Sequence, residues 1–314
     1  MTHLVDWNKG TVCVTGGAGF IGQYLQKGLV ARGVEPNRLR VPRSRDHDLT
    51  VLENARRAVS GCDLVIHAAA VVGGIHYNQN FPGEVFYRNT LLNAQVLEAC
   101  RLEQVGRVVC VSSACAYPLK APVPIREDSL FEGEPEPTNA PYGFAKRMLV
   151  VQAQAYRRQY GLNAVSVIPF NAFGPGDDFD PKTSHVIPAL IRKCFEEKEL
   201  IVWGDGSPTR NFLYVEDFAE GILLAAEKLD RPEPVNIGTD EETSIRELVE
   251  HVVRETGFKG AVSFDTSKPN GQPKRGADIT RAREWLGYEP KHTFVEGLRK
   301  TIAWYRETQL GGKK

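Results

Sequence analysis

The sequence lacks most of the features that settle a protein's class at a glance. No apolar run approaches the roughly 20 residues that a membrane-spanning helix needs. The first ten residues, Met1 to Gly10, hold no signal-peptide hydrophobic core. Charge of one sign is missing as well. The 39 basic residues balance the 39 acidic ones, which argues against a nucleic-acid surface or a polybasic membrane face. Six cysteines are scattered without a CxxC pair or metal-type spacing, so neither a disulfide framework nor a metal site is expected. There is no internal repeat and no low-complexity segment. These absences leave a cytoplasmic globular protein with reduced thiols and no nucleic-acid or membrane partner. The chain has 314 residues, 42% of them hydrophobic and 25% charged. That length accommodates a large domain and a smaller one.

What is present is an alternation of short apolar runs and longer amphipathic ones. Strands are expected at Thr11–Thr15, Leu39–Pro42, Asp63–Ala69, Arg107–Ser112 and Ala164–Ile168. Helices are expected between them, to about Arg32 and over Leu49–Val59, Pro82–Leu102 and Pro141–Tyr160. Strands alternating with helices predict an α/β fold, a Rossmann-type doubly wound parallel sheet covered on both faces. After Pro169 the texture changes to a loop rich in Gly, Pro and Asp. Further elements are a helix near Ser184–Glu197, a strand near Ile201, a strand and helix over Asn211–Glu227, and a strand at Val235–Gly238. Helices near Ser244–Thr256, Ile279–Trp285 and Phe294–Arg306 complete the chain. Residues 1–169 plus 212–240 are read as a dinucleotide-binding domain. Residues 170–211 plus 241–314 are read as a smaller, C-terminal substrate-binding domain.

Gly16-Gly-Ala-Gly-Phe-Ile-Gly22 sits between the first strand and the first helix. Glycines at Gly16, Gly17, Gly19 and Gly22 let the backbone turn tightly and approach a pyrophosphate, and the helix start, with Phe20 and Ile21, favours its charge. The end of the second strand separates NAD from NADP. It reads Leu39-Arg-Val-Pro-Arg-Ser-Arg45, with no acid before Asp46. Arg43 and Arg45, with Arg40 in reserve, suit a 2′-phosphate, so NADP(H) is favoured over NAD. Asp48 is placed near the adenine. Tyr142-Gly-Phe-Ala-Lys146 puts a phenol and an ammonium on one helix face. A cation there is expected to lower the phenol pKa from about 10, making Tyr142 a proton donor to a carbonyl. In Val111-Ser-Ser-Ala-Cys-Ala-Tyr-Pro118 an extended chain would point Ser113 and Cys115 to one side.

The glycine loop, Ser113 and the Tyr142/Lys146 pair together resemble the extended short-chain dehydrogenase/reductase family, whose members act on nucleotide sugars. Longer strings resemble its branch that epimerises and reduces GDP-4-keto-6-deoxy-D-mannose. They are Ala69-Ala-Val-Val-Gly-Gly-Ile75, Glu136-Pro-Thr-Asn-Ala-Pro-Tyr142, Ser184-His-Val-Ile-Pro-Ala-Leu190, Val202-Trp-Gly-Asp-Gly-Ser-Pro-Thr-Arg210 and Ser267-Lys-Pro-Asn-Gly-Gln-Pro273. The resemblance runs from about Thr11 to Arg306.

What the resemblance implies is a full site. Ser113, Tyr142 and Lys146 are the catalytic hydroxyls and lysine, and Lys146 also touches the nicotinamide ribose. Cys115 and His185 are the epimerisation pair, Ala69 borders the cofactor, and the substrate is a GDP-sugar. A thiolate and an imidazole are suitable proton carriers for carbons beside a ketone. Arg210, after a tight turn, is the first choice for the diphosphate, with Lys193 and Arg275 at family basic positions. Trp203 is placed near the nucleotide and Asn171 near the sugar. Cys100 and Cys194 are read as buried filler. The family also implies a homodimer through the helices at 82–102 and 141–160. Two departures matter: Ala114 before Cys115 resembles a redox-neutral GDP-mannose 3,5-epimerising branch with bound NAD, and Lys193, where Arg is usual, lacks the bidentate fork. His185 and the acid-free second strand favour the reducing branch.

Overall fold

Short β-branched runs are swallowed whole by one sheet. The computed structural model describes residues 4–73, 75–268, 270 and 272–311, with the side chains of Ile75 and His76 left aside. Gly74, Pro269 and Gly271, which fall inside two of the family-like strings, lie outside the described residues.

The elements in chain order are β1 (Val12–Thr15), α1 (Phe20–Ala31), β2 (Leu39–Arg40), α2 (Leu52–Val59), β3 (Leu64–His67), α3 (Ile75–Asn80), α4 (Pro82–Leu102) and β4 (Arg107–Val111). They continue with α5 (Ala140–Tyr160), β5 (Ala164–Pro169), β6 (Ala172–Phe173), α6 (Val186–Glu196), β7 (Glu199–Trp203), β8 (Thr209–Arg210), β9 (Leu213–Tyr214) and α7 (Val215–Lys228). The last are β10 (Val235–Ile237), β11 (Thr243–Ser244), α8 (Ile245–Thr256), β12 (Ala261–Asp265), β13 (Lys274–Arg275) and α9 (Phe294–Tyr305).

β1, β3, β4 and β5 are buried at every position. A strand covered on both faces reads as an unbroken apolar run, and only a parallel sheet between helix layers offers that environment. The six-stranded sheet has the order β10-β5-β4-β3-β1-β2 and all its pairs are parallel. The chain leaves β1 toward β2 and returns to β3 on the other side of β1. That reversal opens a crevice at the carboxyl ends of β1 and β3, where doubly wound sheets bind ligands. One apolar cluster, with Val14, Ile66 and Ile222, lies on one face. A second, with Val65, Val96 and Leu149, lies on the other.

A third cluster, including Ile191, Leu248 and Leu298, holds the C-terminal region together. α8 and α9 each begin with a capping box, Ser244 with Glu247 and Thr293 with Glu296. Each box satisfies two otherwise orphaned amides. Small sheets complete this region: β7 with β12, and β8 between β11 and β13.

Three differences from the sequence reading have local causes. β12 was not expected, because its residues lack strict alternation and it exists by pairing with β7. α3 was not expected, because the stretch before Pro82 is polar and short. The helix expected over Ile279–Trp285 is instead a wide helical turn at Ala282–Leu286, ended by Gly287 at φ +64°.

Candidate active site

The glycine loop is a matter of backbone clearance. A Cβ on Gly22 would sit 2.3 Å from the Gly16 carbonyl oxygen and 2.4 Å from Gly17 Cα. Gly16 has φ +73°, and its added Cβ would meet the Ala69 nitrogen at 2.8 Å. Here β1, β3 and the first turn of α1 touch main chain to main chain, which only glycine allows. α1 begins at Gly19 with no side-chain cap and no acid in its first turn. Its amides and dipole are therefore free for an anion. Phe20 and Ile21 turn away from the loop and pack on the third cluster. These residues fit a dinucleotide pyrophosphate.

Beneath the loop lies a buried polar chain. Thr15 Oγ1 is 2.8 Å from His67 Nδ1, and His67 Nε2 is 3.0 Å from Asn93 Oδ1. The Ala69 amide donates to Thr15 Oγ1 at 3.2 Å, and Asn93 Nδ2 donates to the Ala145 carbonyl at 3.1 Å. His67 is fully buried, and desolvation, with Lys146 nearby, pushes its pKa down to about 3. The neutral ring thus spends both nitrogens on the loop and on α4. The sequence reading had His67 only as part of a strand. A lone His in an apolar run gives no sign of partners 26 and 52 residues away.

Arg43, Arg45 and Asp48 lie on exposed chain after β2. Val41 there would meet a Gly17 Cβ at 2.7 Å, so this segment borders the glycine loop. Arg45 Nε pairs with Asp46 at 3.2 Å. The Asp48 carboxylate accepts from the Thr50 amide and hydroxyl, which hold its pKa below the usual range. Asp48 therefore also builds the turn into α2. Arg40 donates to the Ser60 carbonyl and is already engaged.

At the end of β4 the structure corrects one expectation. The strand stops at Val111, and Ala114–Ala116 form a 3-10 turn capped by Ser113 Oγ, which accepts from the Cys115 amide at 3.2 Å. Extended-chain alternation does not apply, because the cap bends the chain two residues too early. Ser113 and Cys115 nevertheless converge. Burial raises the Tyr142 pKa, the nearby Cys115 raises it further, and the Ser113 hydroxyl is near enough to oppose them. A Cβ on Gly143 would meet the Cys115 carbonyl oxygen at 2.3 Å, so α5 presses its first turn onto this loop. Cys115 is half-buried, whereas the other five cysteines, Cys100 and Cys194 among them, are buried.

A second correction concerns the phenol. Lys146 Nζ is 5.9 Å from the Tyr142 ring centroid but donates to the Val111 carbonyl at 2.9 Å. Burial pushes Tyr142 up rather than down, and it lowers Lys146 to about 8. Desolvation outweighs the expected help from the ammonium, because the ammonium is turned toward a main-chain oxygen.

The remaining candidates come from the C-terminal region. Arg210 and Arg275 are register partners on β8 and β13. Burial, with Arg275 alongside, lowers Arg210 to about 10. Neither guanidinium has an acidic partner within 4 Å among the described residues, so both charges stand uncompensated in register. Arg275 lines one small cleft together with Cys115, Glu136, Asn139 and Gln272. His185 stands at the N-terminus of α6. Its ring is exposed, yet the protein around it is dense enough to hold its pKa below the ordinary value, with Asp178 opposing. No hydrogen bond among the described residues joins His185 to Ser113, Cys115 or Tyr142. Lys193 Nζ reaches the Ile201 carbonyl at 3.4 Å, and Trp203 is 65% exposed with Lys268 Nζ 5.8 Å from its ring. Asn171 Nδ2 donates to the Asn211 carbonyl at 3.1 Å and ties β6 to β9. A wider depression lies among Asp177, Asp178, Arg192 and Trp304. It contains none of the groups around Tyr142, so the chemistry is not placed there.

Residues 12–238 match the family described as NAD dependent epimerase/dehydratase. Probable GDP-L-fucose synthase 1 of Oryza sativa subsp. japonica is 38% identical over 97% of this chain and 94% of its own length. GDP-L-fucose synthase of Escherichia coli (strain K12) is 36% identical over 96% of this chain and 98% of its own. Among solved structures, a GDP-L-fucose synthetase from Naegleria fowleri bound to NADP superposes with a TM-score of 0.89 at 27% identity, covering 100% of this chain and 99% of that one.

Proposed function

The chain belongs to the NAD dependent epimerase/dehydratase family, and from that premise we propose that it is an NADPH-dependent enzyme of GDP-sugar metabolism. It converts GDP-4-keto-6-deoxy-D-mannose to GDP-L-fucose by epimerisation at C3 and C5 and reduction at C4. The observation that carries this reading is the approach of Ser113 and Cys115 to Tyr142 after β4, with Cys115 sharing a cleft with Arg275. The names of three relatives, each a GDP-L-fucose synthase or probable one aligned over at least 95% of this chain, support the substrate class.

When bound, the dinucleotide supplies the hydride for C4. The chain's own residues manage protons and orientation. Hydrogens on C3 and C5 are acidified by the C4 ketone, and Cys115 and His185 remove and return them from opposite faces. Ser113 and Tyr142 hydrogen-bond the ketone oxygen and stabilise the enolate. Tyr142, kept protonated by burial, is a proton donor to the C4 alkoxide. Lys146, which donates to the Val111 carbonyl, is the residue that would reach the nicotinamide ribose. Arg43 and Arg45 hold the 2′-phosphate, and Asp48 borders the adenine. Arg210 and Arg275, with Lys193, hold the sugar-linked diphosphate, Trp203 packs by the nucleotide, and Asn171 borders the sugar. In this scheme residues 1–169 plus 212–240 bind the cofactor and the rest bind the nucleotide sugar.

We also place the enzyme in the cytoplasm as a homodimer. The support for dimerisation is an apolar stripe on α5, where Phe144, Met148 and Val151 are exposed at helical spacing beside exposed Phe86 and Tyr87 of α4. Among the described residues no helix is long and apolar enough to cross a membrane.

The test is incubation with GDP-4-keto-6-deoxy-D-mannose and NADPH. Stoichiometric loss of NADPH absorbance and a fucosyl product are expected. Epimerised sugar without NADPH loss would instead establish the redox-neutral reading, which the Ala114-Cys115 pair favours.

A further inference from the structure

The cleft beside Cys115 contains polar capacity that the catalytic groups do not use. Its walls include Glu136, Asn139 and Gln272 as well as Cys115 and Arg275. Local pairing fixes Glu136 there. Pro135 bridges Pro118 in antiparallel fashion, and the Leu119 amide donates to the Glu134 carbonyl at 2.9 Å. The chain then turns, with the Asn139 amide donating to the Glu136 carbonyl at 3.0 Å, and enters α5. Glu136 and Asn139 thereby stand on the short connection between the Cys115 loop and Tyr142.

Their bonding is incomplete. Glu136 Oε2 accepts from the Thr138 hydroxyl, which leaves Oε1 without a partner among the described residues. No cation lies within 4 Å of this carboxylate among the described residues, although Arg275 shares the cleft. Asn139 Oδ1 accepts from Asn78 Nδ2 at 2.7 Å, so its own amide hydrogens are the unspent part. Behind it, Asn78 Oδ1 is buried with no partner among the described residues. Glu136 and Asn139 are half-buried and line the cleft, so the unspent acceptor and donor are open to a ligand there. By contrast the Tyr117 hydroxyl in the same wall is committed to Asn236 Oδ1 at 2.7 Å. Gln272 Nε2 is committed to the Leu119 carbonyl at 3.1 Å.

We infer that Glu136 and Asn139 form a subsite that reads a ring hydroxyl of the sugar, the carboxylate accepting the hydroxyl proton and the amide donating to its oxygen. This rests on the function proposed above. In a 4-keto-6-deoxyhexose linked through C1, only C2 and C3 carry free hydroxyls, since C5 bears a methyl group. The subsite therefore reads the C2–C3 edge and fixes which side of the ring meets the thiol. Glu136 is a specificity-determining residue and takes no proton in the reaction.

The experiment uses the full chain with NADPH and GDP-4-keto-6-deoxy-D-mannose. A hydrogen bond to a charged group changes affinity by roughly 10- to 100-fold. We expect Glu136→Gln, which keeps the Thr138 contact, to raise KM toward the lower end, and Glu136→Ala toward the upper end. GDP lacks the sugar, so its inhibition constant should stay at the wild-type value, as should the Kd of NADPH. Wild-type KM in both variants overturns the subsite. So does a rise in KM matched by an equal rise in the GDP constant, because that would be distortion of the whole site. Failure of the parent reading looks different: the wild-type protein would neither bind GDP nor turn over the sugar nucleotide.

Discussion

The glycine cradle and the cationic cleft wall are built on opposite plans. Around the cradle, main chain touches main chain, and the Thr15–His67–Asn93 chain gives every polar atom of His67 a partner. Arg210 and Arg275 are like charges in register, and elsewhere in the C-terminal region Trp203 is exposed beside Lys268 and Asp178 is exposed near His185. A closed network is rigid before any ligand arrives, whereas an open cationic wall gains its counter-charge only on binding. On the function proposed above, the difference teaches that the cofactor side is preorganised by packing and the substrate side by unspent charge.

The largest effect we expect comes at the seam between the two. Tyr142→Phe should lower turnover by roughly 100- to 10,000-fold while leaving cofactor affinity unchanged, measured by NADPH oxidation and by fluorescence titration. A variant that turns over normally would detach the seam from catalysis. Next, Gly22→Ala strikes the cradle where no backbone atom can retreat. A loss of about 100-fold in NADPH affinity is expected from overpacking costs of a few kcal/mol, and wild-type affinity would break the claim of rigidity. Arg210→Ala should weaken GDP binding roughly tenfold, with a shallower salt dependence. Arg210→Lys should recover part of that loss, and no change in the inhibition constant of GDP would break the cationic half.

The smallest effects are the most discriminating, because His67 under the cradle and Asp177 in the separate depression beside Asp178 answer acid with opposite signs. The folded pKa of His67, about 3, lies below its unfolded value of about 6.5. Between those values the unfolded chain binds the extra proton, so stability present at neutral pH is lost as pH falls, by up to about 1.4 kcal/mol per pH unit. Asp177 sits at about 7, raised by burial from an unfolded value near 4. There the folded chain holds the extra proton, so stability declines as pH rises from about 4 to 7. Denaturant midpoints at pH 5, 6, 7 and 8 separate the two. Asp177→Asn should remove its decline, and His67→Gln should flatten the acid loss while lowering stability at pH 7. The same slope in both variants and the wild type would sink the contrast.

Much of the cradle was legible because its signals are local. Four glycines within seven residues, after an apolar run and before a helix, occupy one stretch of chain, and the sheet repeats the pattern residue by residue. Tyr142 and Lys146 were legible for the same reason, since one turn of helix brings them together. The protonation of Tyr142 was not. It depends on how deeply α5 is pressed onto the Cys115 loop, which Gly143 permits and no spacing rule reveals. The pairing of Arg210 with Arg275 crosses 65 residues through two-residue strands too short to carry a periodicity. The strand at Ala261–Asp265 was missed because its partner, β7, supplies what its own residues do not.

By itself the sequence determined the parallel sheet and the site of the glycine loop, because both follow from which residues tolerate burial and which backbone angles glycine allows. Only the tertiary structure decided that His67 is neutral, that the Lys146 ammonium faces Val111, and that Glu136 and Asn139 share a cleft with Cys115. Those outcomes are set by desolvation and by distances between segments remote in the chain, and neither quantity exists until the chain has closed around them.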